Sequence, residues 1–285
     1  MHILKFGGTS MVDETSWQKV LDIINRYETP VVVVSATART TRQLMAATDA
    51  ALNNATEAKR ISGDIEKRHK QLIARFLERV AGSNKFKIQQ NCNRWLESSI
   101  TKLNQELEII ADRQKITAAD SDSIASIGEQ LSAYLFAQCG AAYGLPATWI
   151  DARKIIKTNS DFGQAVPQWQ KIQQSAHIIN DSVKQGHIPV MGGFYGENEE
   201  GAITTLGFEG SDLTASLVGA ALDAQAIEIW TDVSGIYTCD PRVVSTARPL
   251  ARLPTGKQPS WPILAPRCFT HLPQNLPQEK IFLFG

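Results

Sequence analysis

Residues 1–36 read MHILKFGGTSMVDETSWQKVLDIINRYETPVVVVSA. His2-Ile3-Leu4-Lys5-Phe6 is a short strand that runs into Gly7-Gly8-Thr9-Ser10, and Trp17, Val20, Leu21, Ile23 and Ile24 share one stripe of a helix over 16–27. Pro30 then introduces the unbroken run from Val31 to Ala36, the pattern of a parallel strand covered on both faces. Strand, glycine turn, helix and buried strand make a βαβ opening.

The rest of the chain continues the alternation. Spaced apolar residues in the Lys-, Glu- and Gln-rich stretch 57–115 predict two amphipathic helices beside the sheet. Further helices are expected over 126–143, 167–185 and 211–222, strands over 147–150, 188–192 and 226–230, and a hairpin over 196–205. This order predicts an α/β fold, a three-layer αβα sandwich around a mainly parallel sheet, with one domain over 1–253.

Composition narrows the function. With 285 residues, 29 Lys+Arg against 29 Asp+Glu and 43% hydrophobic residues, the chain has no net charge to attract a polyanion. Neither nucleic acid nor a membrane surface is the expected partner, and no run reaches the ~18 apolar residues of a spanning helix. No cationic, apolar leader opens the sequence, so the cytoplasm is the expected location. Cys92, Cys139, Cys239 and Cys268 show neither metal-ligand spacing nor a disulfide framework and read as reduced thiols. The five histidines make no cluster.

Four segments carry chemistry. Lys5-Phe6-Gly7-Gly8-Thr9-Ser10 sets a lysine and a glycine pair at a helix start, suited to phosphate, although such a turn is equally a structural device; it is neither GxxxxGK[ST] nor GxGxxG. Ser35 ends a strand, and Ala36 to Thr41 form a hydroxyl-rich loop, with Thr40 or Thr41 as a helix N-cap the competing reading. Gly207 to Asp212 precede a small-residue helix, where Ser211 or Asp212 is either a cap or part of a second anion site. Trp230 to Arg242, WTDVSGIYTCDPR, gathers groups able to hold a purine nucleotide, or forms a polar hairpin.

Together these motifs resemble the aspartokinase branch of the amino acid kinase family: KFGGTS, VVVSA followed by Thr41, Gly128-Glu129, Asp151 to Arg153, TTLG with GSD from Thr204 to Asp212, and WTDVSGIYTCDPR, in the family's order. The resemblance implies that Lys5, Gly7, Gly8 and Ser10 hold the ATP phosphates, and that Thr231, Asp232, Tyr237 and Arg242 surround the nucleotide. Ser35, Thr41, Glu129 and Ser211 would line the amino-acid pocket, with Asp212 between the two sites. The implied reaction is attack of the L-aspartate β-carboxylate on the γ-phosphoryl of ATP, with Mg²⁺, toward lysine, threonine and methionine. No catalytic histidine is required, because a carboxylate of pKa ~3.9 is already ionised at neutral pH. A kinase for another carboxylate, such as glutamate or acetylglutamate, and a catalytically dead subunit are the alternatives; a homo-oligomer is compatible with either.

Two departures stand out. The family has an arginine and a glycine where this chain has Phe208 and Glu209, and a phenyl ring cannot clamp an α-carboxylate. After Leu253 the family's ELAYFGAKVLHP segment, whose lysine reaches the nucleotide, and its ACT regulatory domains are replaced by a tail, 254–285, that holds Pro254, Pro259, Pro262, Pro266, Pro273 and Pro277, six of the chain's 12 prolines. Permitted codons for Pro259 to His271, read from the third base, encode Glu-Leu-Ala-Tyr-Phe-Gly-Ala-Lys-Val-Leu-His-Pro. Codons permitted for Glu279 to Phe284 likewise yield the family-like Lys-Asn-Ile-Pro. The expectation is a frameshift near Pro254 to Lys257, an incomplete kinase domain before it, and weak or absent activity.

Overall fold

The computed structural model describes residues 1–81, 84–231, 244, 246–248 and 281–284, the last four as a strand only. β1 (His2–Phe6) leads through a 3₁₀ turn, Gly8–Met11, into α1 (Glu14–Ile24), whose first turn is capped by the Asp13 carboxylate accepting from the Ser16 N–H. β2 (Pro30–Val34) follows, and then four helices, α2 (Thr40–Ala51), α3 (Ala55–Arg79), α4 (Lys85–Arg113) and α5 (Ala118–Tyr143). The second half adds β3 (Ala147–Trp149), α6 (Trp169–Ser175), α7 (His177–Lys184) and β4 (Ile188–Gly192). It closes with the hairpin β5 (Tyr195–Glu197) and β6 (Ile203–Thr205), α8 (Gly210–Ala221), β7 (Ala226–Trp230) and β8 (Ile281–Phe284).

The large sheet runs β3-β4-β2-β1-β7-β8, and every pairing in it is parallel. Successive side chains of a strand point to opposite faces, so each inner strand feeds two cores. Leu4, Phe6, Val32 and Val34 pack under α1 to α5, whereas Ile3, Val31, Val33 and Ile227 pack under α7 and α8. This is the expected three-layer sandwich, and it explains why β2 is apolar at every position. Trp17 of α1, wholly buried, ties three helices together by contacting Phe76 of α3 and Phe136 of α5, with ring centroids 6.2 and 5.4 Å away.

Local chemistry accounts for the departures from the expected elements. α5 begins eight residues earlier than predicted, at a capping box in which Thr117 and Asp120 satisfy each other's backbone N–H groups. The helix expected over 167–185 divides at Ala176, where the His177 ring donates to the Gln174 carbonyl that the next helical N–H would otherwise use. The loop from Ala36 gives way to α2 already at Thr40, with Arg39 at its N-cap in a left-handed conformation (φ 71°) and no hydroxyl capping it. Neither Thr40 nor Thr41 is therefore the cap. Cys92 and Cys139, distant in sequence, meet as buried free thiols between α4 and α5. Among the described residues no helix is long and apolar enough to cross a membrane.

Candidate active site

The carboxyl ends of β1, β2, β4 and β7 open on the same edge of the sheet. At β1 the chain order reverses, since β2 lies on one side of it and β7 on the other, and such a switch point leaves a crevice. Two connected lobes occupy it, of about 420 and 340 Å³. Gly8, Arg39 and Arg42 line the first; Lys5, Phe208, Ser211 and Asp212 line the second; Ser35, Thr41 and Glu129 line both.

At the floor, the Lys5 ammonium is ion-paired with the Asp212 carboxylate, both residues being less than a tenth exposed. The pair joins the end of β1 to the first turn of α8. Removing either partner would strand a buried charge, which typically costs 3–5 kcal/mol. A β carbon at Gly7 would lie 3.6 Å from Lys5 Nζ, an ordinary contact distance, so the glycine stands directly beside the ammonium. The glycine pair does not sit on the N-terminus of α1 as expected: the 3₁₀ turn intervenes, and the Gly7 N–H is already donated to the Trp230 carbonyl, 3.3 Å away.

Glu129 enters from α5. It is 5% exposed; Oε1 accepts from the Ala36 N–H at 3.2 Å, while Oε2 has no hydrogen-bond partner among the described residues. Burial pushes its carboxyl up to about 8, so the group is largely neutral at pH 7. Asp122, seven residues earlier on α5, has a different task. It accepts from the Thr205 N–H and hydroxyl, each at 2.7 Å, and from the Gly163 N–H at 2.8 Å, which fixes the segment leading to Phe208. Thr204 pairs with Thr158 at 2.6 Å. The threonines of the TTLG motif are thus scaffolding for the wall that Ser211 and Asp212 complete. Asp151 caps a 3₁₀ turn, accepts from Arg153 and does not line either lobe.

A second scaffold lies behind the hydroxyl-rich loop. His69 of α3 is wholly buried; its Nδ1–H donates to the Ile65 carbonyl at 2.8 Å, which leaves Nε2 to accept from the Thr37 hydroxyl at 2.9 Å. Thr40 then donates to Thr37 at 2.6 Å, and Arg68 donates to Thr40 at 2.8 Å and to the Ala38 carbonyl at 3.0 Å. Burial lowers the imidazole to about 4, so it stays neutral and the chain of donors keeps one direction. This network sets the start of α2, and nothing in the spacing of α3 announced it.

Lys5, Gly8, Ser35, Thr41, Glu129, Ser211 and Asp212 are thereby brought together around one crevice, with Gly7 beside Lys5. Ser10 and Thr231 lie on the turns that follow β1 and β7 but do not line either lobe. Asp232, Tyr237 and Arg242 fall outside the described residues, as does the expected break near Pro254 to Lys257. The sequence reading passed over Arg39, Arg42 and Phe194, all lining residues, and Gly193, where a β carbon would stand 2.6 Å from Ser211 Cα. Their signal was positional: each follows the carboxyl end of a strand. Phe208 is 75% exposed at the mouth, and Glu209 caps α8 at φ 58°, a left-handed conformation that favours glycine.

Residues 1–258 match the amino acid kinase family. The lysine-sensitive aspartokinase 3 of Escherichia coli is 34% identical over 86% of this chain and 52% of its own length, and the chloroplastic aspartokinase 1 of Arabidopsis thaliana 31% identical over 88% and 43%. The chain thus spans about half the length of the curated relatives it matches. Among solved structures, E. coli aspartokinase III in complex with aspartate and ADP superposes with a TM-score of 0.74 at 32% identity, over 88% of this chain and 53% of that one. With a parallel αβα sheet, a crevice at its switch point and this similarity over its body, the chain belongs to the amino acid kinase family, and its relatives there are aspartokinases.

Proposed function

We propose that this chain is an aspartate kinase module, transferring the γ-phosphoryl of ATP to the β-carboxylate of L-aspartate to give 4-phospho-L-aspartate and ADP. The observation that carries the reading is the buried Lys5–Asp212 pair on the floor of a crevice whose other end holds Glu129. In the reaction a carboxylate oxygen bonds to the γ-phosphorus while the bond to the ADP oxygen breaks. No proton need be removed, so the protein's task is placement and charge. Lys5 would neutralise the transferred group, with Asp212 holding the ammonium in place. Gly7, Gly8 and Ser10 would face the phosphates, Thr231, Asp232, Tyr237 and Arg242 the nucleoside, and Ser35, Thr41, Glu129 and Ser211 the amino acid.

Mg²⁺ belongs to the proposal only as the ion carried by the triphosphate. Among the described residues no three His, Cys, Asp or Glu side chains assemble a metal site, and Asp212 is already paired, so the described side chains do not fit a resident divalent ion. A cytoplasmic location accords with the free thiols Cys92 and Cys139.

Turnover by this sequence is expected to be weak or absent, because the shifted reading after Leu253 replaces a lysine that would stabilise charge in the transition state, a contribution of about 10²–10³ in rate. The test is hydroxylamine trapping of the acyl phosphate with MgATP and L-aspartate, alongside a gene whose frame is restored near Pro254 to Lys257. Restoration should raise hydroxamate formation at least a hundredfold, and Lys5→Met should abolish it. A restored chain that binds ATP yet forms no hydroxamate would overturn the kinase reading in favour of a nucleotide-binding subunit, which Phe208 also favours. Codons incompatible with the shifted frame would remove the frameshift.

A further inference from the structure

The crevice holds three cations that differ in how they are engaged. Lys5 is committed to Asp212. The guanidinium groups of Arg39 and Arg42, on the opposite lobe, form no hydrogen bond or ion pair among the described residues, and both residues are exposed. Arg39 is the left-handed N-cap of α2 and Arg42 lies in its first turn, and both line the same lobe. Between them the N–H groups of Thr41 and Arg42 have no carbonyl partner, as expected of a helix start. Facing this turn is Glu129, 5% exposed, whose Oε2 is buried without a partner although Oε1 is anchored to Ala36. A buried polar oxygen left unsatisfied is uncommon unless something else completes it.

These groups describe the ends of an α-amino acid: two guanidinium groups and a helix start for a carboxylate, and one unpartnered carboxyl oxygen for the adjacent ammonium. Among the described residues, the lobe lined by Phe208 and Glu209 contains Lys5 as its cation. We propose that Arg39 and Arg42 form the clamp for the substrate's α-carboxylate, with Glu129 taking its ammonium and the side-chain carboxylate left toward Lys5. The proposal rests on the aspartate kinase reading and names the residues that make its pocket selective for an amino acid with a free α-carboxylate. Arg68, through Thr40 and Ala38, holds the turn on which the clamp is mounted.

Calorimetric titration of the whole chain with L-aspartate and with its α-amide, which keeps the ammonium and β-carboxylate but lacks the α-charge, tests it. The unaltered chain should bind L-aspartate about tenfold more tightly or better, and Arg39→Gln with Arg42→Gln should bring the two ligands within twofold, with an unchanged melting curve. Arg39→Lys with Arg42→Lys should keep part of the preference, because charge remains where the planar fork is lost. Equal binding of both ligands by the unaltered chain, which needs no variant, overturns the clamp; so does full discrimination in the double Gln variant. Failure of the unaltered chain to bind L-aspartate at all overturns the kinase reading, and the clamp with it.

Discussion

Glu129 offers a direct measurement of the pocket's electrostatics. Burial raises its carboxyl from the ordinary 4.5 to about 8, with the backbone N–H groups of Ala36 and of Glu129 itself offsetting part of the rise. One pH unit below that value, near pH 7, about 0.9 of the population carries the proton. An ammonium placed against the unpartnered Oε2 favours the carboxylate, so ligand uptake should expel close to that fraction of a proton, falling to about 0.1 near pH 9. Titrating L-aspartate in phosphate and in Tris, whose ionisation enthalpies differ widely, reads the number from the difference in apparent heat. Glu129→Gln should release none and bind more weakly. The same residue makes stability depend on pH: its contribution is complete below 4.5 and is lost as pH rises toward about 8, because only the folded state holds the proton there. The Gln variant should lack that slope. No proton release by the unaltered chain at pH 7, or the same release by Glu129→Gln, would refute the reasoning.

His69 supplies the opposite sign. Its folded value of about 4 lies below the ordinary 6.5, so its contribution is complete above 6.5 and is lost as pH falls toward 4, by roughly 3 kcal/mol. Urea melts at several pH values should show this loss in the unaltered chain and a flatter profile in His69→Gln; parallel profiles would count against the buried network. Glu209→Gly should be more stable than Glu209→Ala, which sheds the same side-chain contacts but keeps the left-handed backbone at φ 58°, by about 0.5–1 kcal/mol, and equal thermal melts of the two would exclude that strain.

Much of this protein is legible along the chain. The short strand β1, the glycine turn after it and the unbroken valines of β2 each follow from local rules, and together they point to a parallel sheet with both faces covered. The motif residues at strand ends were equally visible, because Lys5, Ser35 and Asp212 follow or close elements whose order places them on one edge. The early start of α5 at Thr117 and the break beside His177 depart from the apolar pattern because side-chain hydrogen bonds to the backbone, rather than apolar periodicity, set where these helices begin or break. What no local pattern could reveal is pairing across distance. Asp122 holds Thr205, His69 orients Thr37, and Glu129 stands with one oxygen satisfied and one waiting opposite Arg39 and Arg42. Sequence alone determined the layers and the edge on which the chemistry lies. Which charges are buried, paired or left open along that edge was decided by the tertiary structure, because burial and partnership depend on what the fold packs against each group.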